Sequence, residues 1–288
     1  RKGDHIILTD DSYKRTLEFC NSYLQRFGVE CSIVPFGDYD KLSQAVKKNT
    51  RLIFSESPTN PYLNIFDLEK LNEISKKHNL LTLIDSTFAT PLNQRPLESG
   101  VDIVIHSCTK YLAGHNDILA GAVLGRKDLI DAIRKLHNSM GGTIDPHCCY
   151  LLLRGLKTFP LRVATQNKSA ENIARYLEKH DLVERVYYPK LKSHRHFDIA
   201  AEQMEGGGGV VTFEIQGDMS AVKRFIDHLE LCYIGPSFGG VETLITNPAL
   251  ISYYYYTEEE RCALGISDSL FRLAVGIENC EDIIFDLD

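Results

Sequence analysis

Unbroken apolar runs of strand length, separated by stretches with helical spacing, restrict the fold of this chain more than any other feature. The runs open or fill "RLIFSES" (51–57), "LLTLIDS" (80–86), "VDIVIHS" (101–107) and "GAVLG" (121–125). A strand with one face in water alternates apolar and polar residues. These do not alternate, so they read as strands buried on both faces, the pattern of a largely parallel α/β sheet. Between them, "DLEKLNEISKKHN" (67–79) puts Leu68, Leu71 and Ile74 on one helical face, with Asp67 placed to cap it. "KDLIDAIRKLHNSMGG" (127–142) reads as a helix closed by glycines.

The second half changes character. "LRVATQNKSAENIARYLEKH" (161–180) and "SAVKRFIDHLE" (220–230) read as helices, and strands are expected in "VERVYYP" (183–189), "GGGGVVTFEIQGD" (206–218) and "DSLFRLAVGIE" (268–278). This order predicts a smaller α+β domain over 161–288, after a large domain over 1–160. The four glycines at 206–209 read as a turn, because no GxGxxG spacing leads into a helix.

Composition narrows the class. The 288 residues carry a formal net charge of −7, and the charges are interspersed. That balance argues against a nucleic-acid partner or an anionic membrane surface. No run reaches the roughly 18–20 apolar residues of a membrane span. The eight cysteines (Cys20, Cys31, Cys108, Cys148, Cys149, Cys232, Cys262 and Cys280) show no CxxC pairing and read as reduced, buried thiols of a non-secreted protein. "SHRHF" (193–197) reads as a polar surface turn, and no metal site is expected. The chain runs from Arg1 straight into "GDHIILTDD", which reads as the interior of a domain, so a preceding N-terminal segment is expected.

In an open parallel sheet, ligands bind beyond the carboxyl ends of the strands. After "RLIF" come Glu56 and Asn60. After "LLTLI" come Asp85, Ser86 and Thr87, and after "VDIVI" come Ser107, Thr109 and Lys110. One sheet edge thus collects acids, an amide, several hydroxyls and a lysine. A lysine following a buried strand loses hydration, and its pKa falls. A neutral amine attacks carbonyls and forms Schiff bases. A carboxylate can keep a ring nitrogen protonated, and small hydroxyls can hold a phosphate. Together these are the requirements of pyridoxal phosphate. A simple phosphate-binding lysine is the alternative, but the glycine-rich loop that accompanies one is absent.

"SESPTNP", "LIDSTFATP", "HSCTKYLAGHNDILAG", "LRGLKT", "PSFGGVETLITNPA" and "FRLAVGIE" occur in this order along the whole chain. They resemble the Cys/Met-metabolism family of pyridoxal-phosphate enzymes. Within it, "ATPLNQ", "GGVVTFEIQGD" and "YIGPSFGG" look like the plant-type cystathionine γ-synthase branch. The resemblance implies an aspartate-aminotransferase-like large domain of fold type I and a small C-terminal domain. It implies pyridoxal 5'-phosphate on Lys110, which also shuttles protons, with Asp85 paired to the pyridine nitrogen and Tyr13 stacked on the ring. Ser107 and Thr109 would contact the phosphate, with Thr87 among the cofactor-binding hydroxyls. Asn60 would lie by the phenolic oxygen and the substrate carboxylate, Arg272 would clamp that carboxylate, and Ser237 would sit near the lysine. Glu242 lies where specificity for the distal part of the substrate would be set, and Glu56 is a secondary candidate. The family also uses a tyrosine, an arginine and a glycine-rich loop from positions upstream of Arg1.

The resemblance implies γ-replacement on an activated homoserine, O-phosphohomoserine or an O-acylhomoserine, with cysteine to give cystathionine. A γ-lyase of cystathionine or methionine is the second expectation, and a non-catalytic relative the third. The implied partners are amino-acid substrates and further copies of the chain in a homotetramer with shared active sites. The implied compartment is the cytoplasm or the plastid stroma.

Overall fold

The computed structural model describes residues 1–288 apart from residues 252 and 264 and the side chains at 258, 262 and 263. The chain divides into two compact units. The first takes residues 1–60, 64–107 and 120–146, and the second takes 61–63, 108–119 and 147–288.

The first unit is built on six strands: β1 (His5–Thr9), β2 (Glu30–Val34), β3 (Thr50–Glu56), β4 (Leu81–Asp85), β5 (Ile103–Ser107) and β6 (Gly121–Gly125). Their order in the sheet is β2-β1-β3-β4-β5-β6. All neighbours are parallel except β5 and β6. The continuous apolar runs find cover on both faces in β1, β3, β4 and β5. Ile7, Ile53, Ile84 and Val104 enter one buried cluster with Leu68 and Leu71. Leu8 and Phe54 enter another, against Leu83 and Ile105.

β6 departs from the expectation of burial on both faces. It is an antiparallel edge strand with one neighbour, and Val123 and Leu124 stay largely exposed. The helix Leu68–His78 starts where expected, with Asp67 Oδ1 accepting from the Glu69 and Lys70 amides at 3.0 and 3.1 Å. The helix Lys127–Met140 ends at Gly141 as expected, yet buries none of its residues.

The second unit holds β7 (Val183–Tyr187), β8 (Val210–Ile215), β9 (Tyr233–Ile234), β10 (Leu244–Thr246) and β11 (Leu270–Ala274), in the order β7-β8-β11-β10-β9. Only β9 and β10 pair in parallel. The long helix Phe159–Leu177 sends Ala170, Ile173, Ala174 and Leu177 into one cluster with Val211, Phe213, Phe271 and Leu273. β11 is buried along its whole length, with Arg272 at its centre.

Two expectations on side chains are revised. Of the described cysteines, none is paired, but only Cys20, Cys108 and Cys232 are buried; Cys31, Cys148, Cys149 and Cys280 are half-buried, and Cys262 lies outside the described side chains. His194 sits in a turn, as read, but is buried and bonds to the Tyr62 carbonyl at 3.4 Å. A turn that folds back onto its own unit covers such a ring, which local polarity does not reveal.

Candidate active site

In the first unit the expected residues gather at the carboxyl ends of β3, β4 and β5. Parallel register sets Glu56 beside Asp85. Asp85 Oδ1 accepts from the Thr87 amide at 3.0 Å and from Thr87 Oγ1 at 2.5 Å. Thr87 Oγ1 in turn accepts from the Ser107 amide at 2.9 Å. An N–H only donates and a carboxylate oxygen only accepts, so the hydroxyl hydrogen is committed to Asp85. Both Thr87 bonds fall on Oδ1, which leaves Oδ2 out of that pair. Burial pushes the Asp85 carboxyl up, and the two Thr87 bonds hold it back.

Glu56 is buried and accepts from the Tyr13 amide at 2.9 Å. Burial first, and the adjacent Asp85 carboxylate second, push Glu56 well above the usual carboxylate range. A proton held there leaves one negative charge on the pair rather than two. The bond also fixes Tyr13 at the start of the helix Lys14–Glu18, with its side chain 53% exposed. Asn60 follows β3 and is half-buried.

In the second unit the cluster forms around Lys110, whose backbone (φ −89°, ψ −127°) breaks the helical turn Cys108–Leu112. Thr109, beside it, is half-buried. Lys110 Nζ donates to Ser237 Oγ at 2.9 Å and lies 4.6 Å from the centre of the Phe238 ring. Arg272 lies over the same ring, 5.5 Å away. Desolvation, and then the Arg272 charge, bring the lysine down to about 8. Roughly a tenth of the amine is therefore neutral at pH 7, far more than for an ordinary lysine.

Arg272 itself is 6% exposed. Its Nη2 donates to the Pro236 carbonyl at 2.6 Å and the Ser237 carbonyl at 3.2 Å, and burial lowers it to about 10. Two carbonyls and an aromatic face are how this chain tolerates a cation in a buried strand. Glu242 is exposed and accepts from Asn116 Nδ2 at 3.2 Å. Asn116 Oδ1 lies 3.4 Å from Ser237 Oγ.

Sequence reasoning missed the residues that brace this cluster. Arg162 Nη1 donates to the Tyr111 carbonyl and Nη2 to the Gly155 carbonyl, both at 2.9 Å. Gln166 Nε2 donates to the Gly240 carbonyl at 2.7 Å. At Gly114 (φ +75°), an added Cβ would lie 1.9 Å from Arg162 Nη1. A signal existed: Arg162 and Gln166 are polar residues at helical spacing with Phe159, Val163 and Ala170, on the helix's apolar face.

The chemistry of these groups fits pyridoxal phosphate. The second unit offers an amine close to its neutral form and a buried guanidinium for a carboxylate. The first offers a half-buried carboxylate with an oxygen left out of the Thr87 bonds. Among the described residues, no group of three or more His, Cys, Asp or Glu side chains comes together as a metal site.

The Cys/Met metabolism PLP-dependent enzyme family matches residues 1–288. The chain is 45% identical over 286 residues to cystathionine gamma-synthase 1, chloroplastic, of Arabidopsis thaliana, covering 99% of this chain and 51% of that one. It is also 45% identical over 291 residues to an L-methionine gamma-lyase of Fusobacterium nucleatum, covering 100% of this chain and 74% of that protein. The solved structure of cystathionine gamma-lyase from Lactobacillus plantarum complexed with L-serine superposes with a TM-score of 0.93 at 37% identity, covering 99% of this chain and 75% of that one. The chain spans about half the length of the chloroplastic plant relatives it matches.

Proposed function

The chain belongs to the Cys/Met metabolism family of PLP-dependent enzymes, with the fold type I architecture, and from that premise we propose that it joins an activated homoserine to cysteine. The product is cystathionine, and the leaving group is phosphate or a carboxylate, according to the activation of the homoserine oxygen. The observation that carries this reading is Lys110: an amine desolvated to about 8 beside an arginine suited to an amino-acid carboxylate.

When bound, pyridoxal phosphate supplies an aldehyde that condenses with amines and a ring that takes up the electron pair left on a substrate carbon. The rest falls to the chain. Lys110 Nζ would hold the cofactor and, once released from it, would take the α-proton. Asp85 would accept from the protonated ring nitrogen, with Thr87 keeping the carboxylate oriented. By the family likeness, Tyr13 would cover the ring, Ser107 and Thr109 would receive the phosphate, and Asn60 would serve the phenolic oxygen. Arg272 takes the substrate carboxylate in planar geometry.

The motif likeness to the plant-type branch favours O-phosphohomoserine and synthesis. The equal identity to a methionine gamma-lyase favours a second reading, γ-elimination to a 2-oxo acid, ammonia and a thiol. Protein supplied with cofactor is incubated with O-phosphohomoserine or an O-acylhomoserine plus cysteine, and separately with cystathionine or methionine. Dominant cystathionine formation supports the first reading, and dominant 2-oxo-acid release supports the second. Neither activity, with no borohydride-sensitive visible absorbance, would leave the non-catalytic reading. A homotetramer is part of the proposal, and sedimentation velocity measures it. The proposed compartment is the cytoplasm or the plastid stroma, as the chloroplastic plant relatives suggest.

A further inference from the structure

A line of side chains leads away from the lysine: Lys110 Nζ to Ser237 Oγ (2.9 Å), Ser237 Oγ to Asn116 Oδ1 (3.4 Å), and Asn116 Nδ2 to Glu242 Oε2 (3.2 Å). The donors and acceptors set its direction. A carboxylate only accepts, so Asn116 turns its NH₂ toward Glu242. Its amide oxygen then faces Ser237 and also only accepts, so the hydroxyl hydrogen goes to Asn116. Ser237 is left with lone pairs alone to offer Lys110.

Two features of the backbone serve this line. Asn116 sits at φ +54°, a conformation asparagine tolerates better than most residues. At Gly240 an added Cβ would lie 2.2 Å from Asn116 Nδ2, so a side chain there would push the amide out of this position. We propose that Asn116, braced by Glu242, is a positioning residue for Lys110: it holds the Ser237 hydroxyl as a pure acceptor, so the lone pair of the neutral amine stays free to attack. Without Asn116 the hydroxyl can turn and donate to the neutral amine. That caps the lone pair and also favours the neutral form. Among the described residues of this unit, the Phe238 ring and the Arg272 charge also face the amine, and neither supplies a hydroxyl hydrogen. The inference rests on Lys110 being the cofactor-bearing lysine.

The test measures the amine itself. The whole cofactor-free chain is acetylated with acetic anhydride from about pH 6 to about pH 10, spanning the lysine's titration, and Lys110 is quantified by peptide mass spectrometry. Asn116→Gly keeps the backbone conformation and removes the amide. It should lower the titration midpoint and cut the high-pH plateau by about threefold to tenfold, the effect of one added neutral hydrogen bond. Asn116→Asp with Glu242→Gln exchanges donor and acceptor while keeping an acceptor for Ser237, and should restore both values. Glu242→Ala should move both values the same way by less, and Glu242→Gln, whose amide oxygen can still accept from Asn116, should move them less again. The Glu242 pair lies on the surface and decides the matter should Asn116→Gly fail to fold. Wild-type midpoint and plateau in both Asn116→Gly and Glu242→Ala would overturn the proposal. So would Glu242→Gln shifting as far as Glu242→Ala, which would assign the effect to the carboxylate's charge. Borohydride fixation of the cofactor to a residue other than Lys110 would instead overturn the functional reading beneath it.

Discussion

Thr87 serves two partners with one hydroxyl, donating to Asp85 and accepting from the Ser107 amide. Thr87→Val keeps the shape and removes both bonds. It leaves a backbone N–H without its acceptor, at a cost of ~1–3 kcal/mol. Urea unfolding measures this, and an unchanged midpoint would show that the hydroxyl is dispensable. Arg272→Lys keeps the charge but loses the planar fork. If Arg272 holds the substrate carboxylate, KM should rise by about one to two orders of magnitude, with kcat changing less. Lys110 and Asp85 stood out in the sequence because each follows a buried strand, where a charged residue is unusual. Asn116 did not, although its motif was plain to read: its partners, Ser237 and Glu242, lie more than a hundred residues away, and only folding brings them within reach.

Among the elements, the helix Phe159–Leu177 does more than cover a sheet, because Arg162 ties the turn that follows Lys110 to the helix before it. Arg162→Met preserves the apolar stem and strands the Tyr111 carbonyl, while the Gly155 carbonyl keeps the Thr158 amide. A loss on the order of 3 kcal/mol is expected, since bonds to charged donors count for about twice neutral ones. Thermal unfolding of the variant checks it. Strand and helix positions were legible because period and burial go together: β3, β4 and β5 and the helix Leu68–His78 form where their patterns place them. β6 was legible as a strand but not as an edge, because apolar content says nothing of how many neighbours a strand acquires. Equally, nothing local marked the helix Lys127–Met140 as one that buries no residue of its own chain.

At the scale of the whole molecule, stability should respond to pH through buried imidazoles. Burial brings His106 down to about 4 from its ordinary 6.5. Between those values the unfolded chain binds a proton that the folded chain refuses, so this contribution is present at neutral pH and is lost on acidification. The raised carboxyls Glu56 and Asp85 act in the opposite sense. The histidine part is therefore isolated by comparison with His106→Gln. From pH 7 to pH 5 the stability difference should move in favour of the variant by ~1–2 kcal/mol, read from urea titrations. A constant difference would contradict the assignment.

Gly114 and Arg162 carry a consequence on a longer timescale. The guanidinium occupies the space a side chain at 114 would need, and the left-handed backbone there already disfavours one. Position 114 therefore cannot gain a side chain while Arg162 stays in place. In lineages descended from this fold, a side chain at 114 should be found only where 162 has already become small, with another donor recruited for the Tyr111 carbonyl.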